Sequence, residues 1–598
     1  MRFTLVIHQL LQDRLQEAAR QVLPEADVSL LLVRPCPDPK FGDYQCNALI
    51  SLAKERQLNP RQLAADVLAR LEVGEWCEKV ELAGVGFINF RLKTSALAQA
   101  LQSAIRAEHP FVQKAKQPRT IVIDFSSPNV AKPMHVGHIR STVLGDCLAR
   151  TLRRLGHRVI TDNHIGDWGT QFGMLLVGWK ALLDRKALET DPLSEMERIY
   201  RTISAQCDPE KPGFNQATLD RARRELVELQ AGNAENLGIW NEMIRLSQAQ
   251  FDRVYARLGV QFDHTLGESF YNPRLQATVD ELMLKGIATL SEGAKAILSD
   301  GSVGPKHDPF LAHKDGKWIP NPFIIQKNDG GFNYATTDLA TLAYRLETWH
   351  PDEIIYVTDG RQQLHFRQLF ATFRRWYAEA KVKLAHVWFG SILGEDGKPF
   401  KTRSGGTVKL TDLLEEAEGR ALQVVSEKNP ELSESRRREI ARIIGLGAIK
   451  YADLLPNRQS DYVFSWDKML ALEGNTAPYL QYACVRIRSI FRKGGVANAE
   501  RGVRNPEVNL AAQEEIALAK HLLNLGLVLE AVADEYRPNF LCNYLYELAG
   551  RFARFYESCP VLKAAEPERA TRLALCDLTA RVLNQGLEVL GIETTEQM

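Results

Sequence analysis

The stretch Ile121-Val-Ile-Asp-Phe-Ser-Ser-Pro-Asn-Val-Ala-Lys-Pro-Met-His-Val-Gly-His138 decides the fold. Its first five residues form a short, apolar, β-branched run, the pattern of a strand buried on both faces of a parallel sheet. Pro128 and Pro133 then keep the chain irregular, and from His135 it reads as a helix through Arg154, with Leu144, Leu148, Leu152 and Leu155 on one stripe. After Gly156 a second strand, Arg158 to Thr161, completes a strand–helix–strand unit of the doubly wound kind. In such a unit the carboxyl end of the first strand and the start of the next helix form a crevice that favours anions. His135 and His138 share one face of the first turn, where two imidazoles can donate to a phosphate whose charge grows in a transition state. Gly137 between them lets a flat ring lie against backbone.

The rest of the chain fits around this unit. With 598 residues, 75 Lys and Arg against 74 Asp and Glu, and 45% hydrophobic residues, the composition is that of a globular protein of about three or four domains. Disorder, collagen and small disulfide scaffolds are excluded. A net charge of +1 gives no general case for nucleic-acid binding, so basic patches must be sought locally. The nine cysteines are scattered, with no C-x-x-C pair, so neither a structural zinc site nor a disulfide framework is expected. No secretory leader is evident, and no stretch is expected to span a membrane, so the cytoplasm is the expected compartment.

Residues 1–115 read as a small α+β module, with a strand pair at Val80 to Leu82 and Phe87 to Leu92, followed by a charged linker, Lys114 to Arg119. Residues 116–465 form the α/β part, carrying a helical insertion at about 180–260 and resuming the parallel sheet at Phe323-Ile-Ile, Ile354-Ile-Tyr-Val357 and His386-Val-Trp-Phe389. Strands are expected to stop after about residue 410. Residues 466–598 read as an all-α bundle, with Leu518, Leu522, Leu525, Leu529 and Val532 at helical spacing.

A second loop, Gly394-Glu-Asp-Gly-Lys-Pro-Phe-Lys-Thr-Arg-Ser-Gly-Gly406, is glycine-rich and basic and could close on pyrophosphate. H-V-G-H after the first strand together with this loop resembles the paired signatures of class I aminoacyl-tRNA synthetases. The segments Ser127 to His138, Gly166-Asp-Trp-Gly-Thr-Gln-Phe-Gly173, Gly394 to Arg403 and Ile449-Lys-Tyr-Ala-Asp-Leu454 resemble the arginyl enzymes specifically. Similar segments run from Phe41-Gly-Asp-Tyr-Gln-Cys-Asn47 to the terminal Met598.

The resemblance implies a Rossmann-like class I catalytic domain, an N-terminal module that touches the tRNA elbow, and a C-terminal anticodon-binding bundle. It implies activation of L-arginine by ATP to arginyl-adenylate, then transfer to the 2′-hydroxyl of the terminal adenosine of arginine tRNA, by a monomer using magnesium with its ATP. By position, His135, Gly137, His138, Lys398 and Lys401 would bind ATP. Ser127, Asn129, His138, Glu268, Tyr334, Asp338 and Gln362 would bind arginine, Tyr334 and Asp338 on one helical face. The usual K-M-S-K-S loop is here Pro399-Phe-Lys-Thr-Arg403, so Thr402 replaces the second lysine. Lys132, six before His138, is the implied compensating cation, with Lys401 and Arg403 as further candidates. Phe87, Asn89, Tyr482, Arg486 and Tyr556 are candidate tRNA contacts, because aromatics stack on unpaired bases while arginines neutralise phosphates. No dedicated metal site is expected. A small-molecule nucleotidyltransferase would share the H-x-G-H but needs neither flanking domain. A tRNA-binding protein without catalysis would not need His135, His138, Lys132, Tyr334 and Asp338.

Overall fold

The computed structural model describes residues 5–398, 400, 408–495 and 507–598. Its centre is a four-stranded parallel sheet of β1 (Thr120–Phe125), β2 (Arg158–Asp162), β3 (Glu353–Val357) and β4 (Lys383–His386), in the order β4-β3-β1-β2. Helix α1 (Val136–Arg154) links β1 to β2, while α2 (Tyr334–Trp349) and α3 (Gln363–Trp376) flank β3 in sequence. Alternation along β1 sends Ile121, Ile123 and Phe125 into one core and Val122 into the other, so both faces are buried. Helix α1 crosses β1 so closely that a Cβ on Gly145 would come within 2.2 Å of the Phe125 ring. Even alanine there would force helix and strand apart, costing about 1–3 kcal/mol.

The order reverses between β1 and β3, which makes their carboxyl ends the switch point where ligands bind. The register also sets Asp124 of β1 beside Asp162 of β2 and Tyr356 of β3.

Three strand expectations need correction. Phe323–Gln326 does not belong to the parallel sheet; it pairs antiparallel with Ala294–Ile297 in a separate three-stranded sheet. The last parallel strand ends at His386, and Val387 to Phe389 run on as a strap across the sheet's carboxyl end, bridging Asp359 through Phe389. Nor do strands stop at 410, because Tyr462–Val463 pairs in parallel with Ile392–Leu393.

The insertion is a helical layer from Gln171–Leu182 to Ala234–Leu258. The N-terminal module is an antiparallel sheet of Arg34–Pro35, Tyr44–Cys46, Phe87–Leu92 and Cys77–Ala83 with helices around it. The stretch Gln513–Glu535 is long and apolar enough by composition to match a membrane span, with a mean hydropathy of 1.6 in its most apolar window. It folds as two helices, Gln513–Leu522 and Leu525–Glu535, whose Leu518, Leu522, Leu525, Leu529 and Val532 are buried in the core. The cysteines are all free.

Candidate active site

Helix α1 begins at His135, whose Nδ1 accepts the Gly137 N–H at 3.0 Å, while His138 Nδ1 accepts the His135 N–H at 3.0 Å. With each Nδ1 engaged as acceptor, a neutral ring must carry its proton on Nε2. Burial pushes both imidazoles below the usual histidine range: His138 falls to about 3, helped by the adjacent ring, and Arg361 adds to the effect at His135. Two neutral N–H donors, 4.0 Å apart between ring centres, thus stand at the positive end of a 19-residue helix. A Cβ on Gly137 would meet His135 Cε1 at 2.8 Å, so this arrangement needs glycine.

The loop entering the helix holds three non-glycine residues in the left-handed region: Ser126 (φ 72°), Ser127 (φ 47°) and Ala131 (φ 61°). Strain of this kind costs roughly 1–3 kcal/mol per residue and must be over-determined by contacts. The contacts are present. Ser127 donates to Asp124 from Oγ at 3.0 Å and to Asn163 Oδ1 from its N–H at 3.0 Å, and Ala131 N–H donates to Ser247 Oγ at 3.0 Å. Lys132 is half-buried with Nζ 4.9 Å from the Tyr200 ring of the helical insertion. On the far side of the basic loop, Val408 and Leu410 hydrogen-bond to Val136 and Met134. That stitching ends the loop against the start of α1.

The second half of the crevice is acidic. Asp338 Oδ2 lies 2.6 Å from His365 Nε2, and Tyr334, one turn earlier on α2, packs edge-on to the same imidazole at 4.9 Å. Glu268 is raised to about 7, chiefly by burial, with Asp338 and Asp167 pushing upward and His164 opposing. Asp167 holds the Glu268 turn in place through the N–H and hydroxyl of Ser269, at 2.8 and 2.6 Å. Gly267 lies so near Asp167 that a Cβ would come within 2.2 Å of its carboxylate. Asn129 backs onto Gly166 in the same way, so the two halves of the crevice share one scaffold. Two carboxylates within electrostatic reach of each other, one of them half-titrated at neutral pH, form a pocket suited to a cation.

The profile described as "tRNA synthetases class I (R), catalytic domain" matches residues 100–466. The "Arginyl tRNA synthetase N terminal domain" matches residues 6–92, and the "DALR anticodon binding domain" matches 480–598. An arginine–tRNA ligase of Hahella chejuensis is 45% identical over 99% of this chain and 100% of its own length. Its counterpart in Chromobacterium violaceum is 44% identical over the same shares. The solved arginyl-tRNA synthetase of Thermus thermophilus superposes with a TM-score of 0.81 at 26% identity, covering 99% of this chain and 100% of that one. That of Plasmodium falciparum gives 0.79 at 28%, covering 99% of each. The chain belongs to the arginyl-tRNA synthetase family.

Within that family frame, the structure places His135 and His138 at the start of α1 and Ser127 and Asn129 on the loop from β1, backs Asn129 onto Gly166 beside the Asp167 that holds the Glu268 turn, and gathers Tyr334 and Asp338 around His365. Gln362 sits exposed in the short turn Gly360–Gln362 after β3, at the same end of the sheet. Lys398 is exposed in a tight turn whose carbonyl accepts the Gly394 N–H at 2.7 Å. Lys401 and Arg403 lie outside the described residues. Away from the crevice, Arg486 stacks on Tyr556 at 5.4 Å, and exposed Tyr482 lines a cavity of about 540 Å³ with Ile444, Leu470 and Met598. Phe87 is half-buried and Asn89 is 6% exposed in mid-strand.

Sequence reasoning missed the layer beneath these groups. Arg345 is fully buried and donates to Asp124 at 2.6 Å and Asp162 at 2.7 Å, bridging the two carboxyl groups that the sheet register sets side by side. Asp124 in turn holds Ser127. One signal existed: Arg345 follows Asp338 by seven positions, the same face of one helix. Asp167 stands in the Gly166–Gly173 segment without an assigned role, and His365 lies three positions after Gln362.

Proposed function

We propose that this chain joins L-arginine to its tRNA with the residue roles that follow. The arginine carboxylate attacks the α-phosphorus of ATP, forming arginyl-adenylate and expelling pyrophosphate. The 2′-hydroxyl of the terminal adenosine then attacks the carbonyl carbon, and AMP leaves. His135 and His138 donate their Nε2 protons in hydrogen bonds to ATP phosphates, with the backbone near Gly137 admitting the nucleotide. Lys132 supplies the positive charge that Thr402 does not, aided by Lys398, Lys401 and Arg403. Glu268 and Asp338 receive the guanidinium, Tyr334 flanks it, and Ser127, Asn129 and Gln362 receive the amino and carboxylate ends.

Magnesium enters with ATP, held by the nucleotide's own phosphates; among the described residues no group of three or more His, Cys, Asp or Glu side chains is gathered to hold an ion. The N-terminal module, 1–115, meets the tRNA elbow through Phe87 and the strand carrying Asn89. The bundle, 466–598, meets the anticodon through Tyr482, Arg486 and Tyr556. The catalytic part is 116–465, and the enzyme works as a cytoplasmic monomer.

Two observations support this reading above the rest: a pair of neutral histidine donors at the start of α1, and a Glu268 carboxyl raised to about 7 with Asp338 among the causes. The test is arginine-dependent ATP–pyrophosphate exchange with tRNA present. His138→Asn should lower the exchange rate by about a hundredfold. Asp338→Ala should raise the arginine KM far more than the ATP KM, and equal effects on both would remove Asp338 from the guanidinium pocket.

A further inference from the structure

Helix α1 carries a second polar side chain that the reaction as described does not use. Arg140, two residues past His138, is 2% exposed. Its Nη1 donates to the carbonyl oxygens of Gly390 at 2.8 Å and Ser460 at 3.2 Å, and its Nε lies 3.0 Å from Asp453 Oδ1. The guanidinium is sandwiched near the rings of Phe389 and Tyr462, at 5.7 and 5.1 Å. Asp453, 4% exposed, is also hydrogen-bonded by Tyr462.

These partners have one thing in common. Gly390 and Phe389 are the strap that leads from β4 into the basic loop, and Tyr462 opens the short strand on which that loop's base is registered. The strap has no slack: a Cβ on Gly390 would meet Asp461 and Ser460 at 2.7 Å, its N–H donates to Arg458 O at 2.9 Å, and Phe464 N–H donates to Leu393 O at 2.8 Å. Phe400 returns to the same platform, stacked on Phe464 at 4.6 Å. Arg140 therefore ties the helix that presents His135 and His138 to the platform from which the basic loop departs. A buried ion pair is weak evidence for stability, because desolvation offsets its attraction. What it supplies is geometry: Nη1 is held by two carbonyl oxygens while Nε stands against the Asp453 carboxylate, so the planar group is fixed from the strap and from the 434–454 helix at once.

We propose that Arg140 is a positioning residue for the ATP site, fixing the separation between the histidine pair on α1 and the base of the 394–406 loop. The proposal rests on the reading that both elements handle ATP phosphates. Arginine contacts at Glu268 and Asp338 lie on other elements and are not tied to Arg140, so the effect should fall on ATP.

The experiment measures pyrophosphate exchange by the full-length enzyme with tRNA, for Arg140→Lys and Asp453→Asn, alongside His138→Asn. Both new variants should lose roughly ten- to a hundredfold in exchange rate with a raised ATP KM, as expected for a misplacement near 1 Å. Their arginine KM, and their transfer of arginine from preformed arginyl-adenylate to tRNA, should stay within about twofold of the parent. Wild-type exchange in Arg140→Lys while His138→Asn is impaired would overturn the positioning role alone; wild-type exchange in His138→Asn would overturn the reading beneath it. Equal losses in ATP, arginine and transfer steps that follow a lowered melting temperature would reduce Arg140 to a structural residue. If both variants fail to fold, Tyr462→Phe, which removes one hydrogen bond to Asp453, is measured against the same outcomes.

Discussion

If Glu268 receives the guanidinium as proposed, it gives arginine binding a pH dependence. In the free protein its carboxyl is raised to about 7 by burial, with Asp338 and Asp167 adding to the rise. A bound guanidinium favours the anion, so arginine binding must release a proton over a window of about one pH unit either side of 7. Below that pH Glu268 is protonated and a guanidinium bound there would lose that carboxylate partner; above it the partner is charged. The arginine KM should therefore climb as pH falls below 7, by at most about tenfold per unit, and level off above it. Glu268→Gln should show a high arginine KM with that slope abolished, while the ATP KM keeps its parent profile. An unchanged slope in the variant would assign the titration to another group. The same residue shows where sequence reading stops: its place in Gly267-Glu-Ser-Phe-Tyr271 was recognised through family resemblance, yet nothing in that segment announces Asp167, which shapes it from 102 positions away.

The strand–helix–strand unit was legible because buried parallel strands and a leucine stripe leave strong local patterns, and α1 runs to Arg154 as its periodicity predicts. Phe323–Gln326 misled because an apolar run looks alike in any buried strand, and its antiparallel partner is fixed by tertiary pairing. Lys132 belongs at this scale too, since a side chain on an irregular loop acts only if its loop is held. Here the holding is done by the insertion, through Tyr200 under Lys132 and Ser247 under Ala131. Lys132→Ala should lower the exchange rate by about a hundredfold with little change in arginine KM. Tyr200→Leu, which keeps the bulk but removes the ring face, should produce a smaller loss of the same kind. A parent rate in Lys132→Ala would pass the compensating role to the loop cations.

The N-terminal module and the C-terminal bundle touch each other directly. Lys520 pairs with Asp43 at 2.7 Å, Tyr44 donates to Asn524 at 3.0 Å, and Gln9 donates to Glu530 at 2.7 Å, so the N-terminal module rests on the two helices of Gln513–Glu535. The tightest point is Gly526, where a Cβ would come within 2.5 Å of the Phe111 carbonyl oxygen and 3.6 Å of His8. Neither domain needs glycine there for its own fold; the close approach of the other one does. Gly526→Ala should therefore cost about 1–3 kcal/mol, concentrated in the docking. If a single tRNA spans elbow module and anticodon bundle, their spacing is part of the binding site. The variant should then show a lowered melting temperature and a raised KM for tRNA, with arginine and ATP KM unchanged when tRNA is saturating. A lowered melting temperature with a parent tRNA KM would mean that the tRNA does not read both domains at once, and the elbow role of residues 1–115 would fall.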